Sequence, residues 1–426
     1  MRRTGMWVMG GTLLLAGWLA RDVVEPRDLV PLVTVEAQGS APLAGQAPVS
    51  AGPALKTASG HPDLQGIWTT NYDSPLERPA KYKDKEFFTD EERATIDNER
   101  ARILGAEKRR DPRGSEQDVG GAYSQAIFLT HKHIGKRTSL IVDPADGKVP
   151  PLTPEAQKRR DESRAFHQAL LQSTNACKDR KLRPRCPPYG PVSPRRKEAP
   201  PHYVVRNLNR SDGPEDRSLS ERCMAGRIPD FGSSTGFFLQ IGQVADAVSI
   251  FYDTGQGQGF QRVIPVTDRP HLPAHVRQWW GDSRGRWEGD TLVVDVTNFT
   301  PKGDFFGSRE QLHVVERWTA LDANALRYRA TMEDPTTWTT PWTVELELSR
   351  QDTKANRIYK EPRCHEGNHG LPALLRGARA DEKAFAQGRG PDPASMCTAG
   401  GAAECGGFGG GFAESGDEAD PLTREE

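Results

Sequence analysis

From about residue 237 onward, apolar and polar side chains alternate in short blocks. Trp342-Thr-Val-Glu-Leu-Glu-Leu348 sets Trp342, Val344, Leu346 and Leu348 against Thr343, Glu345 and Glu347. A strand turns successive side chains to opposite faces, so this block predicts a half-buried strand. The same period runs through residues 312–319 and, after a turn at Asp322-Ala-Asn324, through residues 325–332. The clearest hairpin spans residues 285–296: Glu288-Gly289-Asp290 supplies the turn, and the second arm is rich in β-branched residues. Residues 237–241, 247–252 and 262–266 add three more strands. No helix-length crossover separates them, so the pattern predicts an antiparallel meander rather than a parallel sheet. The expected fold class is mainly β, a barrel or strongly curved sheet with peripheral helices and long loops.

Upstream, His61-Pro-Asp-Leu-Gln-Gly-Ile-Trp68 reads as chain entry followed by a first strand. Thr89 and Glu92 are spaced as a capping box, with Asp90 and Glu91 favouring the helix dipole; they predict a surface helix reaching about residue 110. Residues 138–143 predict a short strand ending in the turn Pro144-Ala-Asp-Gly147. Thr153-Pro154-Glu155 opens a second helix that continues to about residue 171.

Arg2 and Arg3 precede an apolar run from Met6 to Ala20, the pattern of a signal peptide or an uncleaved anchor. The organisation expected from this is a signal peptide or N-terminal membrane anchor over 1–38 and a linker over 39–60. A β-rich domain follows over 61–390, with a helical and basic-loop insertion at about 150–225. A glycine-rich, acidic, disordered tail occupies 391–426. The expected location is the periplasm or the outer face of the inner membrane, with the N-terminal helix as the anchor if it is not cleaved.

Composition narrows the classes. A net charge of −1 excludes a whole-chain polycation and, with it, the usual nucleic-acid binder. The 42 glycines and 33 prolines exceed an average usage of about 12 per cent, and they point to long loops. Between Cys177 and Pro200, eight lysines and arginines face two acids. This basic loop is expected to be a solvated face, or to meet an anionic membrane surface or an acidic partner. Together with residues 1–20, the basic loop 177–201 makes a membrane protein complex or an anionic membrane surface the expected macromolecular partner, with no nucleic acid and with room for a small-molecule ligand.

Six cysteines suit an exported chain. Proximity pairs Cys177 with Cys186 and Cys397 with Cys405, which leaves Cys223 and Cys364 as a long-range clamp.

His365-Glu366-Gly-Asn-His369 matches the zinc-protease pattern H-E-x-x-H. That chemistry needs both imidazoles on one helical face. Gly367, Asn368 and the nearby Pro372 oppose a helix there, so the reading is a structured turn or a ligand-binding one. No metal and no cofactor is expected. A second group gathers Asp268, Arg269, His271, Asp282, Arg284, Arg286, Trp287, Glu288, Asp290, Arg309, His313, Glu316 and Arg317 around the hairpin. Arginines beside carboxylates and tryptophans hold anionic or sugar-like ligands, or hold loops together. Asp334, Trp338 and Trp342 form a third group. The candidate ligand pocket comprises His365, Glu366, Arg284, Arg286, Glu288, Asp290, His313, Trp338 and Trp342.

The segments His61–Trp68, Arg269-Pro-His-Leu-Pro273, residues 280–294, Leu312-His-Val-Val-Glu-Arg317, Glu333-Asp-Pro-Thr-Thr-Trp338 and Cys364-His-Glu-Gly-Asn368 together resemble a large family. It comprises exported proteins of unassigned activity common in acidobacterial and related environmental genomes. The resemblance implies an exported, β-rich fold. Relatives often carry tyrosine where this chain has His369. Gly66-Ile-Trp68 also looks like the G-x-W entry of lipocalin barrels. The function expected is that of a non-catalytic cell-envelope protein, either a binding module or an accessory subunit of a membrane-associated complex. The alternative is a hydrolase or lyase acting on a small organic or sugar-like molecule in a barrel pocket.

Overall fold

The computed structural model describes residues 54–70, 72–106, 133–178, 186–224, 226–231, 238–255, 258–351, 364–365 and 367–398. The chain enters through strand β1 (Gly66–Thr69), then β2 (Tyr72–Asp73) and helix α1 (Asp90–Ala106). Strands β3 (His133–Ile134) and β4 (Ile141–Asp143) and helix α2 (Pro154–Leu171) follow. The predicted alternation then unfolds as β5 (Phe238–Val244), β6 (Ala247–Gly255), β7 (Gln258–Pro265), β8 (Asp282–Glu288) and β9 (Thr291–Thr297). The last strands are β10 (His313–Ala320), β11 (Ala325–Glu333) and β12 (Trp342–Arg350), before helix α3 (Gly370–Ala386).

Nine strands make a nearly closed antiparallel barrel in the order β7-β6-β5-β1-β12-β11-β10-β9-β8, with β4 attached to β12 outside that path. Every neighbouring pair along this path is antiparallel. The two end strands, β7 and β8, therefore run in the same direction. A tight hairpin cannot join parallel neighbours, and the chain takes a long connection over residues 266–281 instead. Where the ends meet, Val266 and Gly285 form a parallel bridge, and Thr267 N–H donates to the Gly285 carbonyl at 2.9 Å.

The inward rows are apolar, as alternation requires: Leu292, Val294 and Val296 from β9, Leu326, Ala330 and Met332 from β11, and Val344 and Leu348 from β12 are buried together. Trp68 anchors β1 at the centre of this core, its indole N–H donating to Leu64 O at 2.9 Å. The Arg350 guanidinium lies over the Trp68 ring, 4.3 Å from its centroid. Gly66 has φ +133° and packs against that guanidinium, so a side chain there meets both strain and a clash.

Both expected helix starts form. Thr89 N–H donates to Glu92 at 2.7 Å and Glu92 N–H donates to the Thr89 hydroxyl at 3.2 Å, a reciprocal box. Thr153 caps α2 by accepting from Ala156 N–H at 3.2 Å. Below α2, Phe166, Leu170, Val204 and Leu208 form a separate small core. Part of the basic loop is built into this lobe: Arg196 is partly buried and donates to Asn209 O at 2.8 Å.

Cys177–Cys186 and Cys223–Cys364 are bonded as expected. Cys397 is also disulfide-bonded, while Cys405 lies outside the described residues. The opening residues of the expected tail are ordered. Residues 391–398 are docked, with Ser173 donating to Ala394 O at 2.8 Å and Thr398 N–H donating to Asn209 at 2.9 Å. The rest of the tail, 399–426, lies outside the described residues.

The expected membrane location is corrected. Among the described residues, no helix is long and apolar enough to cross a membrane, so no anchoring helix is assigned. The apolar run at 6–20 on which that expectation rested lies outside the described residues.

Candidate functional site

The gap between β7 and β8 holds a cleft of about 460 Å³. Its walls are Gln261, Arg262, Val263 and Pro265 from β7 and residues 282–284 at the start of β8; Gln278, Trp279, Trp280 and Gly281 come from the long connection. The register decides which main-chain groups face it. Val266 N–H donates to Asp246 O, toward β6. Antiparallel strands alternate the direction of their main-chain groups, so those of Val263 and Gln261 turn the other way, into the gap. Pro265 shares that side and brings no N–H, as suits an edge position. On β8 the Gly285 carbonyl meets Thr267 across the gap, and Ser283, two residues back, faces the same way.

Behind the cleft lies a buried polar network inside the barrel. Arg262 donates to both oxygens of Glu316, at 2.7 and 3.1 Å, and to the Tyr252 hydroxyl at 2.9 Å. Tyr328 donates to Glu316 at 2.8 Å. Glu316 is fully buried and Arg262 is 5% exposed. Such a pair is tolerable only when the remaining lone pairs and protons are occupied, and the two tyrosines supply most of that. Burial lowers the basicity of Arg262, but the charge of Glu316 outweighs it and holds the guanidinium above its usual range. Burial also pushes both tyrosine hydroxyls well above theirs. Arg262 Nε is buried and has no hydrogen-bond partner among the described residues.

Three rings lead from the cleft into this network. Trp280 stacks on Phe260 at 4.5 Å, and Phe260 stacks on Tyr252 at 4.6 Å. The loop that carries the tryptophans is fastened on the outer wall. His271 Nδ1 lies 2.9 Å from Asp282 and its Nε2 lies 2.8 Å from Asp295. Asp282 also accepts from Leu272 N–H at 3.0 Å and from Arg284 at 2.7 Å. Asp295 reaches on to His313 at 3.2 Å, and His313 to Glu333 at 3.6 Å. The bond to Asp295 raises His313 above its ordinary value despite partial burial, and the bond to His313 holds Asp295 below its own.

The residues picked out from sequence fall in three places. Arg284 and His313 belong to the ion chain on the outer wall. Glu288 sits between Arg286 and Arg317 at 2.7 and 2.9 Å on that same face, and Asp290 in the turn pairs with Lys56 at 3.2 Å. Trp338 and Trp342 point the opposite way, into the core, with ring centroids 5.6 Å apart and Phe305 packed against both. They do not line a mouth. His365 lies in a turn closed by Asn368 N–H donating to its carbonyl at 3.1 Å, with Gly367 at φ +82°. His369 caps α3 from outside, so the two imidazoles do not share a helical face and the zinc geometry is absent. Glu366 lies outside the described residues. Among the described residues, no cluster of three or more metal-ligating side chains occurs.

Sequence reasoning passed over Arg262, Tyr252, Trp279 and Gln278. Two signals pointed to them: a charge at an inward position between Phe260 and Ile264, and a tandem Trp279-Trp280 in a long connection between strands.

No family model matches the chain, and no curated protein matches it.

Proposed function

We propose that this protein is a binding module that takes a small organic molecule in the cleft between β7 and β8. One observation carries the reading. At the place where, among the described residues, the ends of the barrel path meet without a continuous ladder, two tryptophans, a buried arginine and main-chain groups turned into the gap converge on about 460 Å³. Small-molecule sites run from roughly 300 to 1,000 Å³ and combine apolar walls with a few placed polar groups. The enzyme alternative is less well supported. Asp282 and Glu316, the carboxylates nearest the cleft, each accept three bonds from protein donors.

A thermal-shift screen of a small-metabolite library against the full chain tests this, repeated on Gln278→Ala/Trp279→Ala. At least one compound is expected to raise the melting temperature of the parent and not of the variant. No stabilising compound, or stabilisation unchanged in the variant, overturns the reading.

A further inference from the structure

We infer that the molecule held in the cleft is a neutral polyhydroxylated ring, a sugar or sugar-like polyol. This rests on the cleft being the binding site. The first argument is charge. Two arginines line the cleft, and each is already matched: Arg262 by Glu316 at 2.7 Å, Arg284 by Asp282 at 2.7 Å. An ionic ligand leaving water would find no unmatched counter-charge among these groups, and desolvating an unpaired charge is costly.

The second argument is the kind of hydrogen-bonding group present. The lining offers the amides of Gln261 and Gln278, the hydroxyl of Ser283, and the main-chain groups of Gln261, Val263 and Ser283 that face the gap. Gln261 already donates to Ser249 Oγ at 2.7 Å, which fixes its amide and leaves its carbonyl oxygen as an acceptor. The Ser283 carbonyl already takes the Arg284 guanidinium at 2.9 Å, which leaves its N–H as a donor. Neutral donors and acceptors are thus interleaved. Hydroxyl groups both donate and accept, so a ring edged with them satisfies such a mixture where a carboxylate, an acceptor only, does not.

The third argument is shape. A pyranose presents C–H faces with a polar rim, and indole rings suit ligands that are apolar on the face and wet at the edge. Trp280 is fixed in place by its stack on Phe260. Trp279 beside it is partly exposed and supplies the platform.

The test is isothermal titration of the full chain with D-glucose, D-xylose and maltose as neutral probes, and with D-glucuronate and benzoate as anionic ones. Tryptophan emission is recorded alongside. The expected result is binding of at least one neutral saccharide with a change in emission, weakened about tenfold in Trp279→Ala. Gln278→Ala serves as a second variant should Trp279→Ala melt early. Binding confined to the anionic probes and lost in these variants overturns this inference while leaving the cleft as a binding site. Saccharide binding that neither variant alters overturns it as well. No probe sensitive to either variant, together with an empty metabolite screen, defeats both readings.

Discussion

Arg262 and Glu316 are joined guanidinium to carboxylate at 2.7 Å across the interior, and they belong to strands that are not neighbours. Arg262 is on β7; Glu316 is on β10, with β8 and β9 between them on the far side of the gap. The pair therefore spans the interruption in the ladder and ties its two banks together where main-chain bonds do not.

Removing one partner strands the other as a buried charge. Arg262→Met and Glu316→Leu are each expected to lose roughly 3–5 kcal/mol of stability. The double variant Arg262→Met/Glu316→Leu is expected to recover most of that loss. Urea unfolding of all three gives the coupling directly. Single-variant losses that simply add would show that the pair does not act as a unit.

Cys223 and Cys364 are 141 residues apart, whereas Cys177 and Cys186 are nine apart. In the chain-entropy description, the longer loop stabilises by about 5 kcal/mol and the shorter by about 3. Cys223→Ala/Cys364→Ala should accordingly melt below Cys177→Ala/Cys186→Ala. The reverse order in calorimetry would refute this.

The bond between His313 and Asp295 makes stability depend on pH. His313 is raised, so its contribution is complete below its ordinary value of 6.5 and is lost as pH climbs through the folded value. Asp295 is lowered, so its contribution is complete above its ordinary 3.8 and is lost as pH falls through the folded value. The pair helps most between those two ordinary values. His313→Gln should flatten the alkaline side of the melting-temperature profile. An unchanged slope there would count against the bond.

His369 is exposed at the head of α3 and takes no part in a metal geometry. His369→Tyr is expected to shift stability by no more than about 0.5 kcal/mol. Zinc analysis of dialysed protein is expected to find no stoichiometric metal. Zinc at one per chain, lost in the variant, would reverse that assignment.

The strands from β8 to β12 were legible because alternation is a local signal, and the helix starts because caps sit within four residues of what they cap. Thr89 with Glu92 shows the point. Cys223–Cys364 was reached by elimination after nearer pairs were assigned. Arg262 could not be paired from sequence, because its partner lies 54 residues away and nothing local distinguishes Glu316 from any other strand glutamate. Trp338 and Trp342 were counted into a candidate ligand pocket for a related reason. An aromatic at an inward position reads the same whether the barrel is hollow or filled, and only Phe305 and its neighbours, packed against both rings, decide it.

An odd ring of arrows drawn alternately up and down must contain one place where two neighbours agree. Nine strands obey the same parity, so one parallel contact in the ring is demanded by number, and here it falls between β7 and β8. Loop substitutions can reshape what fits there without moving it. Only gaining or losing a whole strand would remove that parallel contact.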